Sequence, residues 1–333
     1  MSKKFLIIGL GSIGERHLRN LLHLNETNIA VLRTTTRKPR TVDENSFLNF
    51  TSAEDAFGWY PDVALITNPT HLHIPIAIKA AENNIHLFID IPLSHTLEGT
   101  EKLNKHIQSN KLISLMGYNL RFHPCLQHIS QLLKEEAIGN VIAVQAECAS
   151  YLPDWHPWEN YRDGYSADKS MGGGALLAAG VHELDYLRWM FGSFKSIFAA
   201  SGNNSILELK NGAEESIALN IKFQNNIHGE LHCDLIQQPY SRWCKIIGEK
   251  GTIYWNFLEN KVMLFQTKNS KWTIASDHSS MDYNETYVNE LVHLRLCLEN
   301  GIPSINTIDQ GIDNLKAAIA AHQSAKFNKT VSL

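Results

Sequence analysis

The first third of the chain alternates short apolar runs with segments whose apolar residues recur at helical spacing. Strand-type runs occupy 5–8, 28–32, 63–67, 87–90 and 112–116, and helical patterns lie between them at 13–24, 74–83 and 97–109. In the first of these helices Ile13, His17, Leu18, Leu21 and Leu22 fall on one face. Strands and helices taken in turn predict a doubly wound parallel sheet. Ligands of such sheets sit outside the carboxyl ends of the strands, where Gly9, Asn68 and Asp90 fall.

The pattern changes after Gly117. A helix is predicted over 126–136, and β-type runs then follow at 141–150, 195–200, 216–223, 227–234, 243–247 and 251–257. Gln224-Asn225-Asn226 reads as a hairpin turn between two of them. Strands in succession without intervening helices predict an α+β second domain built on a large, mostly antiparallel sheet. An open face on such a sheet predicts a homo-oligomer, a dimer or a tetramer.

The turn after the first strand carries the most specific chemistry. Phe5-Leu6-Ile7-Ile8 runs directly into Gly9-Leu10-Gly11-Ser12-Ile13-Gly14, the order of a phosphate-binding turn. Gly9 allows the tight turn, Gly11 lets backbone approach a pyrophosphate, and Gly14 lets helix and sheet pack closely. The helix start, at Ser12 and Ile13, then offers N–H groups and a partial positive charge to phosphates. The second strand ends in Arg33-Thr34-Thr35-Thr36-Arg37-Lys38 with no acidic residue. Arg33, Thr34 and Arg37 suit a 2′-phosphate, so the reading favours NADP over NAD. The domains expected are a dinucleotide-binding domain over 1–119 and a substrate-binding and oligomerisation domain over 120–333.

Bulk properties narrow the partners. With 333 residues, 44% of them hydrophobic, the chain buries a sizeable core. A net charge of -4 gives no global attraction to nucleic acid or to an anionic membrane. Five scattered cysteines and no leader or spanning segment predict a reducing, cytoplasmic setting. His71 and His73 have no third ligand beside them, so no metal is predicted. The segment 155–169 is too polar and aromatic for a core and reads as a loop, with Tyr161, Arg162, Tyr165 and Lys169 as candidates for a polar, sugar-type ligand.

Five segments in order give the chain a family likeness. They are the Gly9 to Gly14 turn, Thr67-Asn68-Pro69-Thr70-His71-Leu72-His73, Asp90-Ile91-Pro92-Leu93-Ser94, Gly117-Tyr118-Asn119-Leu120-Arg121-Phe122, and Gly172-Gly173-Gly174-Ala175-Leu176-Leu177 leading to His182-Glu183-Leu184-Asp185. With them the chain resembles the Gfo/Idh/MocA family of nicotinamide-dependent sugar and polyol oxidoreductases, and Asn119-Leu120-Arg121-Phe122-His123-Pro124 and Tyr151-Leu152-Pro153-Asp154-Trp155 make it resemble above all members of bacterial surface-sugar pathways. The resemblance implies a Rossmann domain, a sheet domain and a cleft between them. It places the cofactor against Asn68, Pro69, His71, His73, Asp90, Ile91 and Pro92, and the substrate near Tyr118, Arg121 and His182. The family's usual catalytic lysine and aspartate correspond to Ile91 and Ala178 here, which leaves His182, Asp185 and Tyr165 as the catalytic candidates.

Three readings follow. The first is an NAD(P)-dependent oxidoreductase acting on a sugar, amino sugar or nucleotide-sugar, with an altered catalytic set. The second is a catalytically silent cofactor-binding sensor, regulator or partner subunit. The third is an elimination or epimerisation in which bound cofactor is oxidised and re-reduced.

Overall fold

The computed structural model describes residues 3–34 and 38–333. The chain forms two compact units. The first runs up to Asn119 and takes in Tyr283–Asp313; the second comprises Leu120–Asp282 and Asn314–Leu333. The break after Asn119 lies where the composition changes, but a second domain running unbroken over 120–333 is corrected by the return of Tyr283–Asp313 to the first unit.

Unit 1 holds strands β1 (Phe5–Ile8), β2 (Ile29–Leu32), β3 (Leu48–Phe50), β4 (Val63–Ile66), β5 (His86–Ile89) and β6 (Ser114–Met116). They form one sheet in the order β3-β2-β1-β4-β5-β6, and every neighbouring pair is parallel. The helices α1 (Ser12–His23), α2 (Ala53–Gly58), α3 (His73–Glu82) and α4 (Thr100–Ser109) connect the strands. All four residues of β1, β2 and β4 are buried, as a parallel sheet covered on both faces requires. Phe5, Ile7, Val31, Leu65 and Phe88 of the sheet form one core with Leu18 and Leu21.

The returning segment completes that core. Its helix α7 (Asn284–Asn300), where Leu291, Leu294 and Leu298 recur at helical spacing, adds those three and Cys297 to the same cluster. Asn119 pins the start of this segment, donating to the Tyr283 hydroxyl at 2.9 Å and the Thr286 hydroxyl at 2.8 Å. Further on, Met116 N–H donates to Asn306 O at 2.7 Å and Ser304 Oγ to Ser114 O at 2.6 Å. Backbone groups that β6 would otherwise leave unpaired are thereby satisfied.

Unit 2 opens with α5 (Pro124–Lys134), which has proline at its first turn. Its strands are β7 (Val141–Tyr151), β8 (Phe194–Gly202), β9 (Ser216–Phe223), β10 (His228–Asp234), β11 (Ile236–Gly248), β12 (Gly251–Asn256), β13 (Lys261–Gln266), β14 (Lys271–Asp277) and β15 (Val331–Ser332). They make one nine-stranded sheet, antiparallel except where β10 runs parallel to β7. Burial alternates residue by residue along β9 and β12, so one face packs inward and the other is open. Helix α6 (Val181–Phe191) belongs to this unit, and the boundary between units falls after Asp313 in α8 (Ile308–Phe327). The hairpin turn at Asn226, with φ of 65°, joins β9 to β10 as its composition predicts.

Candidate functional site: a glycine turn and a histidine helix

In unit 1 the glycine turn is built by close approaches. Gly9 has φ of 97°, and a Cβ placed on it would lie 2.7 Å from Asn68 N and Cα. A Cβ on Gly14 would lie 2.2 Å from Gly9 O. Thr67 Oγ1 donates to Gly9 O at 2.8 Å and locks the turn to the end of β4. Gly11 differs from both: a Cβ there meets nothing within 4 Å. It is the N-cap of α1, and no side chain caps the helix at that position. Ser12 is exposed and Ile13 half-buried beside it. Asn68 Oδ1, next to Gly9, is buried without a hydrogen-bond partner. Open space at the helix start, in a turn whose Gly9 packs against a residue with an orphaned buried acceptor, fits a bound dinucleotide.

The other strand ends differ in how far their side chains are committed. His73 is buried, with its ring nitrogens 2.9 Å from Pro92 O and 2.6 Å from Asn68 O, and burial lowers its pKa to about 4. It works as a strut between the loops after β4 and β5. Pro69 caps the short turn Thr70–Leu72 that leads into α3, and His71, half-buried on that turn, keeps Nδ1 buried without a partner. Burial raises the Asp90 pKa to about 7. Ile91 is half-buried and Pro92 buried in the same loop. Tyr118, expected near substrate, has only 1% of its surface exposed.

At the end of β2 the Arg33 side chain is held by an acid and an amide. Arg33 donates through Nε to Asn49 Oδ1 at 2.6 Å and through Nη2 to Glu44 Oε1 at 2.8 Å. Thr34 is exposed, and Arg37 lies outside the described residues. Glu15 of α1, buried, accepts from Arg40 N–H and Thr41 N–H, both at 3.0 Å. Neither acid stood out in the sequence, because each is recognisable only by a partner distant along the chain.

In unit 2 the glycine run packs against backbone and acid. A Cβ on Gly173 would meet Tyr165 O at 2.4 Å, and one on Gly174, whose φ is 105°, would meet Glu214 Oε2 at 2.5 Å. Glu214 accepts from Leu176 N–H at 3.1 Å and from His322 Nε2 at 3.0 Å. A π-helical turn, Leu176–Gly180, carries Ala178 and runs into α6. His182 stands at the second position of that helix. Burial first, and then the Arg242 cation, hold its pKa well below the usual histidine value, so the imidazole is neutral at physiological pH.

Two buried ion pairs grip the helix around His182. Arg242 Nε lies 2.9 Å from Glu183 Oε1. Arg121 donates through Nε and Nη2 to the two oxygens of Asp185 at 2.8 and 2.7 Å, and Asn314 Nδ2 adds a third bond at 2.8 Å. Asp185, expected to assist catalysis, and Arg121, expected to meet substrate, are both buried and spend their charged groups on each other. Glu183 entered the sequence reading only as part of the His182 to Asp185 segment, and Arg242 not at all, because their pairing joins positions 59 apart.

The aromatic loop is folded onto its own unit. Tyr161 donates to Leu207 O at 3.1 Å, and Arg162 lies 3.0 Å from Glu208 and over the Tyr161 ring. Tyr165 is half-buried and Lys169 exposed. Among the described residues no His, Cys, Asp or Glu cluster has the makings of a metal site, and no helix is long and apolar enough to cross a membrane.

Two family models match successive parts of the chain. Residues 3–118 match the model for an oxidoreductase family with an NAD-binding Rossmann fold. Residues 126–254 match that of the GFO/IDH/MocA C-terminal domain. The scyllo-inositol 2-dehydrogenase (NAD(+)) of Bacillus subtilis is 25% identical over 287 residues, covering 82% of this chain and 78% of that protein. The myo-inositol 2-dehydrogenase of Thermotoga maritima is 22% identical over 98% of this chain and 97% of its own. Among solved structures, levoglucosan dehydrogenase in complex with NADH superposes with a TM-score of 0.87 at 18% identity, covering 100% of this chain and 99% of that one. The WlbA dehydrogenase of Bordetella pertussis, in complex with NADH and UDP-GlcNAcA, gives 0.81 at 16% identity over 100% and 99% of the two chains. With both halves matched in order, the chain belongs to the Gfo/Idh/MocA family of oxidoreductases, with an NAD-binding Rossmann fold at its N-terminus.

Proposed function

We propose that the protein is an NAD(H)-dependent oxidoreductase that exchanges a hydride with a sugar-type or polyol substrate. The observation that carries this reading is the glycine turn after β1, where Gly9 and Gly14 are held against backbone, Gly11 opens onto free space at the start of α1, and Asn68, packed against Gly9, keeps a buried Oδ1 without a partner. In it Gly9, Gly11, Gly14, Ser12 and Ile13 would hold the pyrophosphate. Asn68, Pro69, His71, Asp90, Ile91 and Pro92 would border the nicotinamide end. When bound, that group supplies the hydride acceptor or donor. The preference for NADP finds no support: Arg33 is paired with Glu44 and Asn49, and the matching family model is an NAD-binding one.

The protein must also move the proton of the reacting hydroxyl. His182 is our candidate, since a neutral imidazole accepts a proton at physiological pH. Tyr165 and Lys169 remain candidates for substrate contact. Asp185 acts through the rigidity of α6. The names of the relatives, inositol and levoglucosan dehydrogenases, support the substrate class. The test is the nicotinamide absorbance band, followed while wild type and His182→Ala are offered NAD with a panel of polyols, sugars and nucleotide-sugars. Turnover by wild type and its loss in the variant, with NADH binding retained, is the expected result.

A second reading is favoured by Ile91 and Ala178, which stand where the family's lysine and aspartate are usual. It is a cofactor-binding protein without turnover. In that case no substrate of the panel reacts, and Ile91→Lys with Ala178→Asp restores activity.

We also propose a homo-oligomer formed through the open face of the unit 2 sheet. Along β11 to β14 that face carries Trp243, Tyr254, Met263, Phe265, Trp272 and Ile274, the last two about half exposed. Light scattering behind a sizing column tests it, with Trp272→Lys expected to shift the mass toward the monomer. Five buried cysteines, none in a disulfide, accord with the cytoplasmic setting proposed from the sequence.

A further inference from the structure

Strand β2 ends without the acid that usually receives the adenosine ribose hydroxyls, and Arg33 stands at its end instead. The fold brings an acid to that place from eleven residues further on: Glu44 Oε1 accepts from Arg33 Nη2 at 2.8 Å. The arrangement is fixed on several sides. Arg33 Nε donates to Asn49 Oδ1, Arg33 N–H donates to Phe50 O, and the guanidinium lies over the buried Phe47 ring. Asp43 accepts from Asn45 N–H and holds the short turn Glu44–Ser46 that presents the acid. Glu15 ties the far side of the loop to α1 through Arg40 and Thr41.

The exposures of the two partners differ in a telling way. The Arg33 side chain is 11% exposed and the Glu44 side chain 42%. The cation is thus the more buried partner and the carboxylate the more exposed one, beside the end of β2, the strand end at which a dinucleotide-binding fold receives the adenosine ribose. A carboxylate there accepts hydrogen bonds from ribose hydroxyls. It also repels the charge of a 2′-phosphate and occupies the guanidinium edge that such a phosphate needs.

We propose that Glu44, anchored on Arg33, is the acid that recognises the adenosine ribose and turns the site toward NAD(H) and away from NADP(H). The proposal rests on the reading of unit 1 as a nicotinamide dinucleotide site and adds to it the residue that sets the choice.

The experiment measures dissociation constants for NADH and NADPH with wild type, Glu44→Gln, Arg33→Ala and the double variant, with thermal melts of each as a control of folding. Wild type should favour NADH by at least roughly tenfold. Glu44→Gln should shrink that preference by roughly tenfold or more, with NADPH binding tighter than before, and the gain in NADPH affinity should vanish when Arg33→Ala is added. A wild type that prefers NADPH, or a preference unmoved by Glu44→Gln while NADH still binds, overturns the proposal and leaves the dinucleotide site standing. Failure of wild type to bind either cofactor overturns both.

Discussion

Arg121 and Asp185 form a two-pronged ion pair, 2.8 and 2.7 Å, closed off from solvent within unit 2. Asn314 completes the acceptor set of the carboxylate. A charge pair in such surroundings is costly to break from one side, because the remaining partner stays buried and uncompensated. Asp185→Asn or Arg121→Ala should therefore lower the unfolding free energy by about 3–5 kcal/mol. Urea denaturation checks this, and loss of activity without loss of stability would return both residues to the chemistry.

Gly14 lies against the turn it follows. A methyl group there would sit 2.2 Å from Gly9 O, a backbone atom that cannot swing aside. Gly14→Ala should destabilise unit 1 by about 1–3 kcal/mol, as overpacking does, and weaken NADH binding together with it. Thermal melts with and without NADH measure both effects; a variant as stable as wild type would contradict the packing argument.

Asp90 makes stability depend on pH in a stated direction. Its folded pKa, about 7, lies above the ordinary 3.8. Between those values the folded state holds a proton that the unfolded state has released, so this group's contribution is full at low pH and is lost as pH rises toward 7. Asp90→Asn removes the dependence. The stability of wild type relative to the variant should fall from pH 4 to about 7 and stay level above it, as urea melts across that range would record. A difference that rises over the same window would refute the assignment.

Glu183 and Arg242 hold α6 from the side of the sheet. Arg242 also contributes to keeping His182 neutral. Arg242→Met should leave Glu183 buried alone and shift the proton-dependent arm of any pH–rate profile to higher pH, because the cation that lowers the His182 pKa is gone. An unchanged profile in a folded variant would separate His182 from the titrating step.

What the sequence made legible follows from how local each cause is. The glycine turn could be read because a strand, a φ of 97° at Gly9 and an uncapped helix start all arise within a few residues. Strand β9 was legible end to end because its alternation of burial mirrors its alternation of side chains. Helices α7 and α8 went unassigned, and the return of Tyr283–Asp313 could not be foreseen, since its place depends on Asn119 meeting Thr286 far along the chain. Strand β11 was expected only over 243–247. Pro239 and the register shift between Ile236 and Ser241 obscured its first half. Arg121 was singled out for substrate and Asp185 for catalysis, but their pairing across 64 positions is a tertiary fact, and so is that of Glu44 with Arg33.

Cofactor binding at the glycine turn is tested by a calorimetric titration of NADH into wild type and into Gly11→Val. The side chain of that variant would enter the open space at the start of α1, where nothing of the protein lies within 4 Å of a Cβ. Saturable binding at one site per chain is expected for wild type, with its loss in a variant that melts at the wild-type temperature. Absence of heat with both NADH and NADPH, or full affinity in Gly11→Val, would contradict it.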